Sequence, residues 1–308
     1  MTVLFTGATR GRTPHTMSRM GDVLAGIHAA WEFAPDSVLI RFTRGNRGTP
    51  KLFQVLGERR IPLEALESVT VSPGKRGTVV LHAVPRPGAD PLMDAAAGQL
   101  KEAADPYRLV LPAERATLAE YHAGELRAVL PGPGAGPAAR RLVPSVGAPL
   151  QFKAYDGKAS FDGEKVSFRW SWTGATSAKW KAGDQSCTVS ELAGVEWRSP
   201  EAPDGHLRLL FRGGAPGGAG ERPARADQDP AAVVFGLGYG PVHESLPFAA
   251  AVLEAVREAA PAVPAAAVPA RDPAGVAERI RHLGELHSAG LVTDEEFRCK
   301  KAELLAEL

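Results

Sequence analysis

Three stretches of the chain hold residues whose types and spacing could do chemistry. The first, Val3-Leu4-Phe5-Thr6-Gly7-Ala8-Thr9-Arg10-Gly11, runs an apolar segment into glycines. A dinucleotide site of that kind needs a helix directly afterwards, whose N-terminus holds the pyrophosphate. Arg12-Thr13-Pro14-His15-Thr16 follows instead, with no apolar helical stripe. The second, Val233-Val234-Phe235-Gly236-Leu237-Gly238-Tyr239-Gly240, is interrupted by Pro241 and Pro247, and no Gly-Lys-Ser/Thr follows for phosphate and magnesium. It reads as the loop between a last strand and a closing helix. The third is the histidine set: His28, His82, His122, His206 and His243 are scattered, and His282 and His287 lie five apart, off one helix face. No Cys-x-x-Cys, His-Glu-x-x-His or Gly-x-Ser-x-Gly occurs. The expectation is a non-enzymatic chain with no cofactor and no metal.

Charge and aromatic residues are unevenly placed. Residues 41–76 hold eight basic side chains against three acidic, whereas 169–204 hold four against five. Arg44, Arg47, Lys51, Arg59 and Arg60 are the candidate anion- or lipid-binding residues, able to meet phosphates on a membrane, a nucleic acid or a phosphoprotein. Four tryptophans, Trp170, Trp172, Trp180 and Trp197, fall in the second half. Alternation places Trp170 and Trp172 on one face, as sheet core or packing between halves.

The elements that must position these groups are repeated. Ala29–Phe42 and Gly157–Trp170 both read as strand, turn, strand, 128 residues apart, with Phe33, Val38 and Phe42 matched by Phe161, Val166 and Trp170. The order continues through Ile61–Val69 and Val189–Trp197, Gly77–His82 and Gly205–Phe211, and Asp105–Leu111 and Asp229–Phe235. Each half closes on a helix, expected at Ala116–Leu130 and Phe248–Ala259. Alternating apolar residues such as Val38, Ile40 and Phe42 suit an antiparallel sheet with one solvated face. In the second helix Phe248, Val252, Ala255 and Val256 form the covering stripe.

The expected organisation is a disordered leader over 1–20, a first domain over 21–130, a Pro/Gly linker with little to bury over 131–147 and a second domain over 148–259. An Ala/Pro linker over 260–273 and a helical hairpin over 274–308 complete it. Met17 and Met20 are alternative starts. In the hairpin, Val276, Ile280 and Leu283 form a stripe, Gly290 suits a helix end, and Thr293-Asp294-Glu295-Glu296 reads as a capping box. Two helices this short bury little alone and need a partner.

Composition bounds the rest. Thirty-six basic against 35 acidic residues in 308 exclude a bulk polyanion binder. Cys187 and Cys299 cannot form a disulfide framework and point to a reducing, cytoplasmic compartment. No apolar run approaches the roughly 20 residues of a membrane span, and no signal-peptide core is present.

The repeated strand-turn-strand start, Ile61-Pro62-Leu63, Leu192-Ala193-Gly194-Val195-Glu196-Trp197 and the closing helices resemble the actinobacterial domain of unknown function 4429. That family is similar to bacterial pleckstrin-homology-like domains and often occurs in tandem. The tail, with Gly290-Leu291-Val292-Thr293-Asp294-Glu295-Glu296-Phe297 ahead of Lys300-Lys301, resembles the short C-terminal domain called SHOCT. The resemblances imply an α+β chain: two PH-like antiparallel sheets or barrels, each of seven strands closed by a helix, then a two-helix hairpin. They carry no catalytic residue. The expected function is binding or scaffolding, with Ile280, Leu283, Leu286, Leu291, Phe297, Leu304 and Leu305 contacting a second copy or another protein. The alternative is peripheral attachment to an anionic lipid surface, such as the inner face of the membrane, or a phosphate ligand, through the first domain's basic face. Nucleic acid is not an expected partner.

Overall fold

The computed structural model describes residues 22–45, 48–131, 135–213 and 225–259, and residues 281, 283, 284, 287, 293, 294, 297, 298, 300 and 301 of the tail. Residues 1–259 belong to one compact unit and 260–308 to a second. The expected leader, the 260–273 linker and Arg47 lie outside the described residues.

Each half builds the same succession. In the first, β1 (Asp22–Ala25), β2 (Ala29–Phe33), β3 (Ser37–Phe42) and β4 (Glu58–Pro62) form a four-stranded antiparallel sheet in sequence order, with α1 (Lys51–Leu56) between β3 and β4. Next, β5 (Leu66–Pro73), β6 (Thr78–Pro85) and β7 (Arg108–Pro112) form a three-stranded sheet. Two helices accompany them: α2 (Pro91–Ala96), between β6 and β7, and the closing α3 (Ala116–Val129). The second half repeats this with β8 (Leu150–Lys153), β9 (Gly157–Phe161), β10 (Lys165–Trp170), α4 (Ser177–Ala182) and β11 (Gln185–Thr188). Its three-stranded sheet is β12 (Leu192–Arg198), β13 (His206–Phe211) and β14 (Ala232–Val234), closed by α5 (Val242–Ala259).

The repetition extends to single hydrogen bonds. The amide of Ile27, in the β1–β2 turn, donates to Val110 at 2.9 Å, as Tyr155 does to Val234 at 2.9 Å. Leu63 donates to Asp36 at 2.9 Å, as Val189 does to Glu164 at 2.9 Å. One β-bulge lies between Leu66 and Ser68, and its counterpart between Leu192 and Gly194. A bulge bends its strand and increases the twist, here where each copy passes from its four-stranded sheet to its three-stranded one. Among the described residues no ladder joins the two sheets of a copy, so neither copy is a closed barrel.

The closing helices are covered differently. In α3, Ala119, His122, Ala123 and Leu126 are buried, one stripe at helical spacing facing β5 and β6. In α5 every residue from Ser245 to Val252 is buried. Its own sheet covers one side, and α1 and α2 of the first copy cover another. Leu52, Leu92, Ala95 and Ala96 therefore belong to the core of copy two. Gln99 fastens the junction, donating to the Trp197 carbonyl at 3.0 Å and accepting from the Ser199 amide at 2.9 Å.

Three expectations are corrected. Helix α5 begins at Val242, ahead of Phe248, and carries Pro247 in its second turn. The missing Pro247 N–H costs a helical hydrogen bond, which burial of Leu246, Pro247 and Phe248 offsets. The 131–147 segment does bury side chains: Ala138 and Val143 enter the first core, and Arg257 donates to the carbonyls of Ala138 and Ala139 at 2.9 and 2.8 Å. Trp170 and Trp172 do not share a face, because β10 ends at Trp170 and the chain turns.

Candidate binding surface

The basic residues singled out in copy one do not form one surface. Arg44, Lys51 and Arg60 are exposed, and Arg60 donates to Ser37 Oγ at 2.9 Å. Arg59 is withdrawn: it is 6% exposed and pairs bidentately with Asp90 at 2.8 and 2.9 Å. Period-two alternation puts Arg59 on the same inward side as Ile61, with Arg60 outward. Asp90 also caps α2 by accepting from the Leu92 amide at 2.9 Å, and it takes the Tyr107 hydroxyl at 2.8 Å. Burial and the Asp90 charge hold the Tyr107 phenol well above its usual range. Nearby Arg41 is occupied by Glu32 at 2.8 Å and Glu58 at 3.2 Å.

Copy two has its own buried pair. Lys179, 0% exposed, bonds Asp156 and donates to the Ala232 carbonyl at 2.7 Å. Burial pushes the Lys179 ammonium down and Asp156 opposes it. A lysine with a lowered pKa can mark a catalytic site, but this one is sealed and spent on joining α4 to β14. Asp156 in turn accepts from the Val234 amide at 2.9 Å. Burial pushes the Cys187 thiol up to about 11. Among the described residues no three His, Cys, Asp or Glu side chains gather as metal ligands.

What stands open is the loop end of copy two. The β8–β9 turn, the β10–α4 loop and the β14–α5 loop converge there. Ser171 donates to Asp156 at 2.8 Å and Gly240 to Lys153 at 2.7 Å. A Cβ at Gly174 would sit 2.1 Å from the Tyr155 carbonyl, so that position admits only glycine. Trp172 is 85% exposed and packs edge-on against half-exposed Trp180, centroids 5.7 Å apart. Tyr155 and Tyr239 pair likewise at 6.2 Å, and Leu237 is fully exposed. Beside them, on the outer face of the sheet, Lys153 stands directly opposite Lys158, and Lys158 opposite Arg169. Both lysines lie ahead of residues 169–204, and the alternation Phe152-Lys153-Ala154 is the sequence signal that places Lys153 on the outer face.

The comparisons with known proteins agree with the repetition. Residues 31–127 and 159–253 each match the family described as Domain of unknown function (DUF4429). The chain belongs to that family, in two tandem copies. The matches start 128 residues apart and end 126 apart, within the spacing of the repeated strands. A search of curated proteins finds no match.

Both DUF4429 matches stop short of the tail. There Arg281, Leu283, Gly284 and His287 are helical, as are Asp294, Phe297, Arg298, Lys300 and Lys301, with Thr293 ahead of the second group. Phe297 stacks on His287 at 4.6 Å, and His287 Nε2 lies 2.6 Å from Asp294 Oδ1. Leu283 and Phe297 are half-buried. Ile280, Leu286, Leu291, Leu304 and Leu305 lie outside the described residues. Among the described residues no helix is long and apolar enough to cross a membrane.

Proposed function

We propose that the protein is a non-enzymatic binding and scaffold protein: two pleckstrin-homology-like DUF4429 domains carrying a SHOCT-type hairpin, residues 274–308, that joins copies of the chain or docks it onto another protein. Four plus three antiparallel strands and a closing helix in each copy support the PH-like reading. Consumption of Arg59 and Lys179 in internal ion pairs supports a non-catalytic role. The observation that carries the assembly role is the His287–Phe297 stack, which brings the two helical groups of the tail together. A pair of helices this small cannot enclose a core of its own, and its apolar side is completed by another surface.

Light scattering across a dilution series tests the reading on the full chain and on a chain ending at Pro273. The full chain is expected to be oligomeric and the shortened chain monomeric. Phe297→Asp should act like the truncation; self-association that survives it at low concentration removes the hairpin as the interface. If both chains are monomeric, the tail serves another protein, and capture with residues 274–308 follows.

A further inference from the structure

We propose that the loop end of copy two is a docking surface for an anionic phospholipid bilayer, with Trp172, Trp180 and Leu237 entering the interface and Lys153, Lys158 and Arg169 lying along the headgroups. The proposal rests on the reading of the chain as a binding protein and places a second attachment far in sequence from the tail.

The charge arrangement is the first argument. Three cations stand in register on three adjacent strands, and like charges directly opposite one another destabilise a sheet. Neighbouring strands are about 4.8 Å apart. Among the described residues no carboxylate pairs with Lys153 or Lys158, and Arg169 has only Asp184, at 3.6 Å. At the same register in copy one stand Ala25, Ala30 and Arg41, the last held by two glutamates. The cationic row is therefore particular to copy two, and a negative surface relieves it.

The apolar groups are the second argument. Trp172 and Leu237 project from loop tips into solvent, and tryptophan and tyrosine favour the membrane–water interface. Basic residues beside apolar ones are the arrangement by which proteins lie on an anionic bilayer. Other anionic partners fit less well. Phosphopeptides are held by forked arginines, and two of these three cations are lysines. Single-stranded nucleic acid stacks its bases on open ring faces. Here the aromatic pairs meet edge to face, at 69° and 77°, so in each pair the edge of one ring occupies a face of the other.

Vesicle flotation of the full chain at low salt, with neutral phosphatidylcholine and with a phosphatidylserine mixture, decides the matter. The chain should float with the anionic vesicles, release as salt rises, and show a blue-shifted tryptophan emission that Trp172→Ser diminishes. Each of Lys153→Gln and Lys158→Gln should weaken attachment by about five-fold, whereas Arg44→Gln with Arg60→Gln in copy one, both exposed and away from that loop end, should leave it unchanged. Circular dichroism confirms that each variant is folded. No flotation, equal flotation with neutral vesicles, or loss confined to the copy-one pair overturns the proposal. Binding of a single-stranded oligonucleotide without lipid, lost on the same lysine substitutions, also overturns it. A chain that ignores anionic vesicles but becomes monomeric without its tail keeps the scaffold reading and loses this one.

Discussion

Asp90 accepts both terminal nitrogens of Arg59, at 2.8 and 2.9 Å, inside the first copy. Asp90→Ala therefore strands a buried guanidinium, the Tyr107 hydroxyl and the Leu92 amide together. Removing one partner of a buried pair costs about 3–5 kcal/mol. Urea denaturation should register a loss of that size for Asp90→Ala, and about 0.5 kcal/mol or less for Arg60→Ala on the exposed side of the same strand. Equal effects would mean that the pair is not structural.

Leu92, on copy one's α2, is 2% exposed within the core of copy two. Leu92→Ala should cost about 2–5 kcal/mol, and both copies should still unfold in one calorimetric transition at a lower temperature. Two separate transitions would show that the copies do not support one another.

The Cys187 thiol, pushed up to about 11 by burial, should alkylate slowly near neutral pH. In a Cys299→Ser background the iodoacetamide rate should climb about tenfold per pH unit between 8 and 10, because the thiolate is the reacting form. A plateau near pH 9 would contradict the assignment.

His243 lines the groove where Lys51 and Glu201 of the two copies approach. Burial lowers its pKa, the Lys51 charge adds to the effect, and Glu244 opposes it. A histidine whose folded pKa is depressed resists protonation in the folded chain while the unfolded chain accepts it. Its contribution to stability is therefore present above the ordinary value of about 6.5 and declines as the pH falls below it. His243→Gln should flatten stability against pH over that range; an unchanged slope would assign it to other groups.

Much of this architecture was legible in the residues. The 128-residue offset follows from matched alternation such as Val38–Phe42 and Val166–Trp170, and α3 ends one residue from its expected limit. What escaped depended on contacts distant in sequence. Arg59 looks like a surface charge from its own strand because its partner, Asp90, lies 31 positions on, beyond two further strands. Asp90 also supplies the cap of α2. Pro247 looks like a break because an exposed helix could not offset its cost, whereas α5 is buried around it. Alternation places Trp172 on the face of Trp170 only if the strand continues, and β10 ends at Trp170.

The sheathing of α5 by both copies predicts that neither half of the tandem stands well alone. A chain severed between Pro131 and Gly147 would yield a second fragment whose closing helix lacks the cover supplied by α1 and α2. The first copy is thus a lid for the second, and its α1 and α2 belong to the later copy's core as much as to their own.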